Sequence, residues 1–70
     1  MKLSARNQLR SKVKSVKLGS IMAEVILELA DGQQIVSAIT RSSAELLELK
    51  EGDEVITIIK STEVIIARDE

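Results

Sequence analysis

The feature that most constrains the fold is the alternation of polar and apolar side chains in LRSKVKSVKL, residues 9–18. A period of two places successive side chains on opposite faces of a β-strand. The inward face carries Leu9, Ser11 and Val13, and the phase then shifts so that Val16 and Leu18 point inward. Such a shift predicts a β-bulge near residues 14–16, which would bend the strand.

The rest of the sequence predicts four further strands and one helix. IMAEVILEL (residues 21–29) and QIVSAIT (residues 34–40) are predicted strands, joined by the hairpin signal Asp31-Gly32. A helical period follows in RSSAELLELKEGD, where Ser42 and Glu45 have the spacing of a capping box and the leucines give an apolar stripe. EVITIIK (residues 54–60) and EVIIA (residues 63–67) are two more predicted strands. The order predicts a mainly β fold: a small OB-like five-stranded barrel with one short helix between the third and fourth strands.

The chain is short, with 70 residues, and we expect a single domain over residues 1–70. A domain of this size buries a marginal core. Without Cys or His, disulfides are excluded and a zinc site is disfavoured. Strands apolar on both faces, such as IVSAI (residues 35–39) and VITII (residues 55–59), therefore predict a homo-oligomer. Neither a membrane span nor a signal segment is evident, so the expected location is the cytoplasm.

The composition disfavours catalysis and nucleic-acid binding. There is no His or Cys to act as base or nucleophile, and the carboxylates fall on alternating strand positions. We therefore expect that the protein is not an enzyme. Residues 1–17 are basic, but the chain has no aromatic side chain on which a base could stack. Nucleic acid is therefore an unlikely partner, and the basic strand face is equally well interpreted as complementing acidic strands of a neighbouring subunit.

Hydrogen-bond donors are grouped at three strand ends. An arginine fork, a lysine charge and hydroxyl groups together suit a small tetrahedral oxyanion. The three groups are Ser4, Arg6 and Asn7; Thr40, Arg41, Ser42 and Ser43; and Lys60, Ser61 and Thr62.

Several motifs, in this order and spacing, resemble those of the molbindin, or Mop, family of TOBE-type modules. They are SARN (residues 4–7), AEV (residues 23–25), AIT (residues 38–40), LKEGDEV (residues 49–55) and IKST (residues 59–62). The resemblance extends over residues 1–67. It implies an OB-like barrel, a homohexamer of strand-exchanged dimers, and cytoplasmic storage or homeostasis of molybdenum, with molybdate or tungstate bound as the oxyanion.

The resemblance also implies two kinds of oxyanion site, with no direct coordination of a metal by side chains. The first would use Ser4, Ala5 through its backbone, Arg6, Asn7, Thr40, Ser43, Lys60 and Ser61. The second would use the turn Gly19, Ser20, Ile21 and Met22. Arg41 has no firm family counterpart and is left outside both sites.

One alternative function comes from a different class of protein. AITRSSAELLELKEGDEV (residues 38–55) is also similar to the strand, helix and hairpin of small dimeric DNA-binding regulators of the swapped-hairpin kind. That family usually has a Pro before the helix, which this chain lacks, and the alternative leaves SARN unexplained.

Overall fold

A computed structural model describes residues 1–69 and arranges four antiparallel strands in one curled sheet. The last residue of the expected domain, Glu70, lies outside the described residues. The elements are β1 (Asn7–Leu18), β2 (Met22–Glu28), β3 (Gln34–Thr40), α1 (Arg41–Leu46) and β4 (Glu54–Ile59), followed by a 3-10 turn at Ser61–Glu63. The sheet order is β3-β2-β1-β4. No helix in residues 1–69 is long and apolar enough to cross a membrane.

The long strand β1 is the centre of the sheet. Its first half pairs with β4, with Asn7 opposite Ile59, and its second half pairs with β2, with Leu18 opposite Ala23. The β1–β2 register shifts between Val13 and Ser15. The predicted bulge is confirmed, and it lies within the part of β1 that pairs with β2.

The core is small and lies on the inward face that the alternation predicts. Val13, Val25 and Leu27 form its buried cluster, and Ala23 and Ala44 are also buried. Partly buried side chains surround this cluster: Val16, Ile35, Ile39, Leu49 and Val55. Leu18 lies on the predicted inward face, opposite the buried Ala23, but it is the last residue of β1 and is 46% exposed.

The fifth predicted strand, residues 63–67, is not a strand within this chain. Val64 has an extended backbone (φ −87°, ψ 121°), but no strand within residues 1–69 pairs with the segment, so it lacks the hydrogen bonds that define a strand. Ile65 and Ile66 are 94% and 89% exposed. The segment that was expected to close the barrel is an uncovered apolar tail.

The helix differs from its prediction in its cap and its apolar face. Its N-cap is Thr40, whose Oγ1 accepts a hydrogen bond of 3.1 Å from the Ser43 backbone N–H. The extended backbone of β3 continues to Thr40 and brings this hydroxyl to the first turn, so the predicted capping box at Ser42 is wrong. Glu45 instead pairs with Arg41. α1 buries Ala44 and leaves Leu46 and Leu47 exposed, so the leucine stripe reaches the core only at Leu49, beyond the helix.

The hairpin between β2 and β3 is confirmed at Asp31-Gly32. Gly32 has a φ of +89°, in the region that favours glycine, and its N–H donates to the carbonyl of Leu29. The Asp31 carboxylate accepts hydrogen bonds from the backbone N–H and the side-chain amide of Gln33, which lower the pKa of Asp31.

One buried polar pair joins β1 to β4 and supports a stability prediction. Ser11 Oγ and Thr57 Oγ1 are 2.6 Å apart, and both residues are buried. We expect Ser11→Ala to lower the free energy of unfolding by about 1–2 kcal/mol, because the Thr57 hydroxyl would lose its partner. Replacing both residues, as Ser11→Ala with Thr57→Val, should restore most of this loss. Urea unfolding at fixed protein concentration measures both effects, and a double variant less stable than Ser11→Ala would contradict the interpretation.

Candidate functional site

The first group of donors gathers where β1 begins and β4 ends. Because Asn7 is opposite Ile59, the segment before β1 lies beside the segment after β4. Asn7 Nδ2 donates to the carbonyl of Ile59 at 3.1 Å and fixes this arrangement. We call this set the β4-end cluster: Ser4, Ala5, Arg6, Asn7, Lys60 and Ser61.

The cations of the β4-end cluster have no carboxylate partner among residues 1–69. Arg6 and Lys60 are exposed, and neither makes an ion pair with any residue in the described part of the chain. Ser4 is exposed at a bend, and Ser61 opens the 3-10 turn. The cluster therefore presents two positive charges and two hydroxyl groups at the surface, which can donate to an anion.

The second set of donors lies at the other end of β1. Met22 is opposite Thr40 in the β2–β3 pairing, so the turn before β2 lies beside the start of α1. We call this set the turn cluster: Gly19, Ser20, Ile21, Met22, Thr40 and Ser43. Thr40 Oγ1 donates to Ser43 Oγ at 2.7 Å, which leaves the Ser43 hydroxyl hydrogen free to donate elsewhere.

The structure does not bring Thr40 and Ser43 to the other residues expected in the first site. β1 has 12 residues, and at about 3.3 Å for each step between residues it is at most about 36 Å long. The β4-end cluster and the turn cluster flank its opposite ends. Within one chain the expected first site is therefore divided into two parts.

Two residues outside the predicted sites contact these clusters. Gln8 Nε2 donates to the carbonyl of Ala5 at 2.7 Å and holds the bend before β1. Arg41 Nη1 donates to the carbonyl of Gly19 at 3.3 Å, and the Arg41 backbone N–H donates to Ile21. No short motif marks Gln8, and Arg41 is marked only by its donor chemistry, because it has no firm counterpart in the family resemblance.

Carboxylates on the neighbouring strands of the same sheet lie opposite several cations of the basic face of β1. Lys14 Nζ lies 3.3 Å from Glu28 Oε2. Lys12 is opposite both Glu28 and Glu54, and Lys17 is opposite Glu24. The groove in this region, about 650 Å³ in volume, is lined by cations and carboxylates together, so it has no clear preference for an anion.

The fold and the two clusters define a class: a small β-sheet module with donor groups at its strand ends. The TOBE domain family matches residues 3–66. Molybdenum-pterin-binding protein 3 of Clostridium pasteurianum is 52% identical over 66 residues, covering 94% of this chain and 97% of that protein. The chain belongs to the TOBE domain family and, within it, to the Mop proteins.

Two solved structures extend the similarity to the whole fold. A molybdate-binding protein from Sporomusa ovata has a TM-score of 0.91 and 37% identity, with 97% of this chain and 100% of that chain covered. MopII from Clostridium pasteurianum has a TM-score of 0.90 and 48% identity, with 96% and 100% covered. These similarities favour the Mop resemblance and give no support to the swapped-hairpin DNA-binding alternative.

Proposed function

We propose that this protein binds molybdate or tungstate as an intact oxyanion and serves molybdenum storage or homeostasis in the cytoplasm, without catalysis. The observation that carries the proposal is the β4-end cluster, where Arg6 and Lys60 form no ion pair within the described part of the chain and lie beside Ser4 and Ser61. The similarity to a molybdenum-pterin-binding protein and to a molybdate-binding protein supports the choice of anion.

In the proposed first site the two cations make the strongest contacts. The Arg6 guanidinium can donate to two oxygens of one anion, and Lys60 adds a point charge. The Ser4 and Ser61 hydroxyls and the Ala5 backbone N–H would donate hydrogen bonds to the remaining oxygens of the anion. Asn7 mainly positions the segment, since one of its amide hydrogens is already donated to Ile59.

The division of the donors supports a site between chains. Thr40 and Ser43 lie at the far end of β1 and cannot join Arg6 and Lys60 of the same chain. We propose that a second copy supplies them, so that each first site combines the β4-end cluster of one chain with Thr40 and Ser43 of another. The second site would be formed at Gly19, Ser20, Ile21 and Met22.

The exposed apolar surface supports the accompanying assembly, a homohexamer of strand-exchanged dimers in which residues 1–70 form one domain. β3 is an edge strand that contains no charged residue and no Pro, the two features that usually protect such an edge. Val36, Ile56 and Ile58 are 61%, 40% and 41% exposed on the sheet. Addition of the tail of a second copy as a fifth strand would complete the OB-like barrel and cover part of this surface.

The chemistry of the donors also favours molybdate over phosphate. Molybdate is an unprotonated dianion at neutral pH and needs only donors. Phosphate, with a second pKa near neutral pH, often carries a proton that requires an acceptor. A site built from Arg6, Lys60 and hydroxyl groups satisfies the first anion more completely.

Titration of the purified protein tests the proposal. We expect molybdate and tungstate to bind more tightly than sulfate, which is smaller, and than phosphate, which is partly protonated. Isothermal titration calorimetry with the four anions measures the order, and elemental analysis of the protein as purified measures its molybdenum content. Equal affinity for all four anions would show that the clusters bind anions only through their charge.

A further inference from the structure

The turn before β2 has two backbone N–H groups that make no hydrogen bond within the described residues. Ser20 and Ile21 donate no backbone hydrogen bond to any residue within 1–69. The turn is closed tightly, since the Gly19 N–H donates to the carbonyl of Met22 at 2.7 Å. A Cβ atom on Gly19 would lie 2.8 Å from that carbonyl oxygen, so no larger residue fits without a shift.

The Arg41 guanidinium lies against this turn. Its Nη1 donates to the carbonyl of Gly19 at 3.3 Å, and its Nε lies 3.4 Å from Glu45 Oε2. A guanidinium has five N–H donors, so more than half of its donors have no partner among residues 1–69. The Arg41 side chain is 41% exposed and can therefore reach a ligand in solvent.

We propose that Arg41 is an anion-binding residue of the second site, where its guanidinium supplies the positive charge that the backbone of the turn lacks. The inference rests on the proposed function and adds to it a residue that the family resemblance does not include. The ligand is a tetrahedral dianion, held by the Ser20 and Ile21 N–H groups and by the free edge of the Arg41 fork. Glu45 competes with the anion for the same guanidinium.

The test isolates the second site by removing the first. Arg6→Ala with Lys60→Ala provides a background in which the remaining molybdate binding is that of the turn. In this background we expect Arg41→Ala and Arg41→Gln each to weaken molybdate binding about tenfold or more, because a charge-assisted hydrogen bond is lost. Glu45→Gln should strengthen binding about twofold, since exposed ion pairs of this spacing are weak.

The choice of variants distinguishes a role of Arg41 in binding the anion from a purely structural role. Arg41→Gln can still donate to the carbonyl of Gly19, so a purely structural role predicts unchanged affinity for this variant and would overturn the inference. Arg68→Ala removes the same charge from an exposed position outside both clusters and should leave binding unchanged. Circular dichroism spectra show whether each variant is folded. If Arg41→Ala does not fold, Arg41→Gln still tests the inference.

The same titrations distinguish failure of the inference from failure of the proposed function. If the unmodified protein takes up molybdate and the background variant binds it equally with or without Arg41, only the inference is wrong. If the unmodified protein takes up no molybdate, both are wrong. A crystal structure with molybdate in the turn and Arg41 directed away from it would also overturn the inference.

Discussion

Ile65→Asp combined with Ile66→Asp is expected to break the assembly into smaller species and to abolish molybdate binding at the first site. The two side chains are 94% and 89% exposed in the single chain, so the change should leave the core of each chain intact. Within the assembly they belong to the proposed exchanged strand, where two carboxylates would be buried without partners. Native mass spectrometry and calorimetry measure the two losses on the same sample.

The matched control keeps the apolar character of the tail. Ile65→Val with Ile66→Val should retain both the assembly and the affinity, because valine is also apolar and favours β-strands. Two results would refute the proposal: an Asp variant that stays hexameric, or an Asp variant that is monomeric but binds molybdate with unchanged affinity. The first would exclude the tail from the interface, and the second would show that one chain suffices for the site.

Arg6→Ala and Lys60→Ala should each lower the affinity for molybdate by roughly ten- to a hundredfold. Each change removes a charge-assisted hydrogen bond, which contributes about 1.5–3 kcal/mol. Ser4→Ala should cost less, about 1 kcal/mol, since a serine hydroxyl carries no charge. The fold should survive all three changes, because these residues lie at strand ends outside the core.

Calorimetry with molybdate measures these losses, and Lys2→Ala is the matched control. Lys2 is an exposed cation of the same N-terminal segment but lies outside the predicted site, so its removal changes the net charge equally. A loss for Lys2→Ala as large as that for Lys60→Ala would indicate general electrostatic attraction in place of a defined site. Undiminished binding by Lys60→Ala would remove this residue from the site.

Much of the sheet could be predicted because its determinants are local. The alternation in β1 and β2 identifies Val13, Val25 and Leu27 as inward residues, and the shift of phase identifies the bulge. The Asp31-Gly32 hairpin is equally local. The fifth strand could not be assigned in the same way, because pairing depends on a partner strand, which the sequence of one chain does not specify.

The candidate site was harder to predict than the sheet, because it depends on distances between segments that are far apart in the sequence. SARN and IKST are marked by their composition, and the register of β1 and β4 brings them together. The distance between Lys60 and Thr40 depends on the length of β1, so the division of the first site became evident only in three dimensions. Arg41 has no firm counterpart in the family resemblance, and its contact with the Gly19 carbonyl is what associates it with the turn.

The separation of the two clusters along β1 has a thermodynamic consequence. If each first site is completed by a second copy, molybdate binds the associated form and not the separated chains, so association and uptake are linked reciprocally by mass action. Molybdate at a hundred times its dissociation constant would stabilise the associated form by about 2.7 kcal/mol for each site. Dilution of the protein would conversely release its anion, so the amount of molybdate retained in a cell would depend on how much of the protein the cell makes.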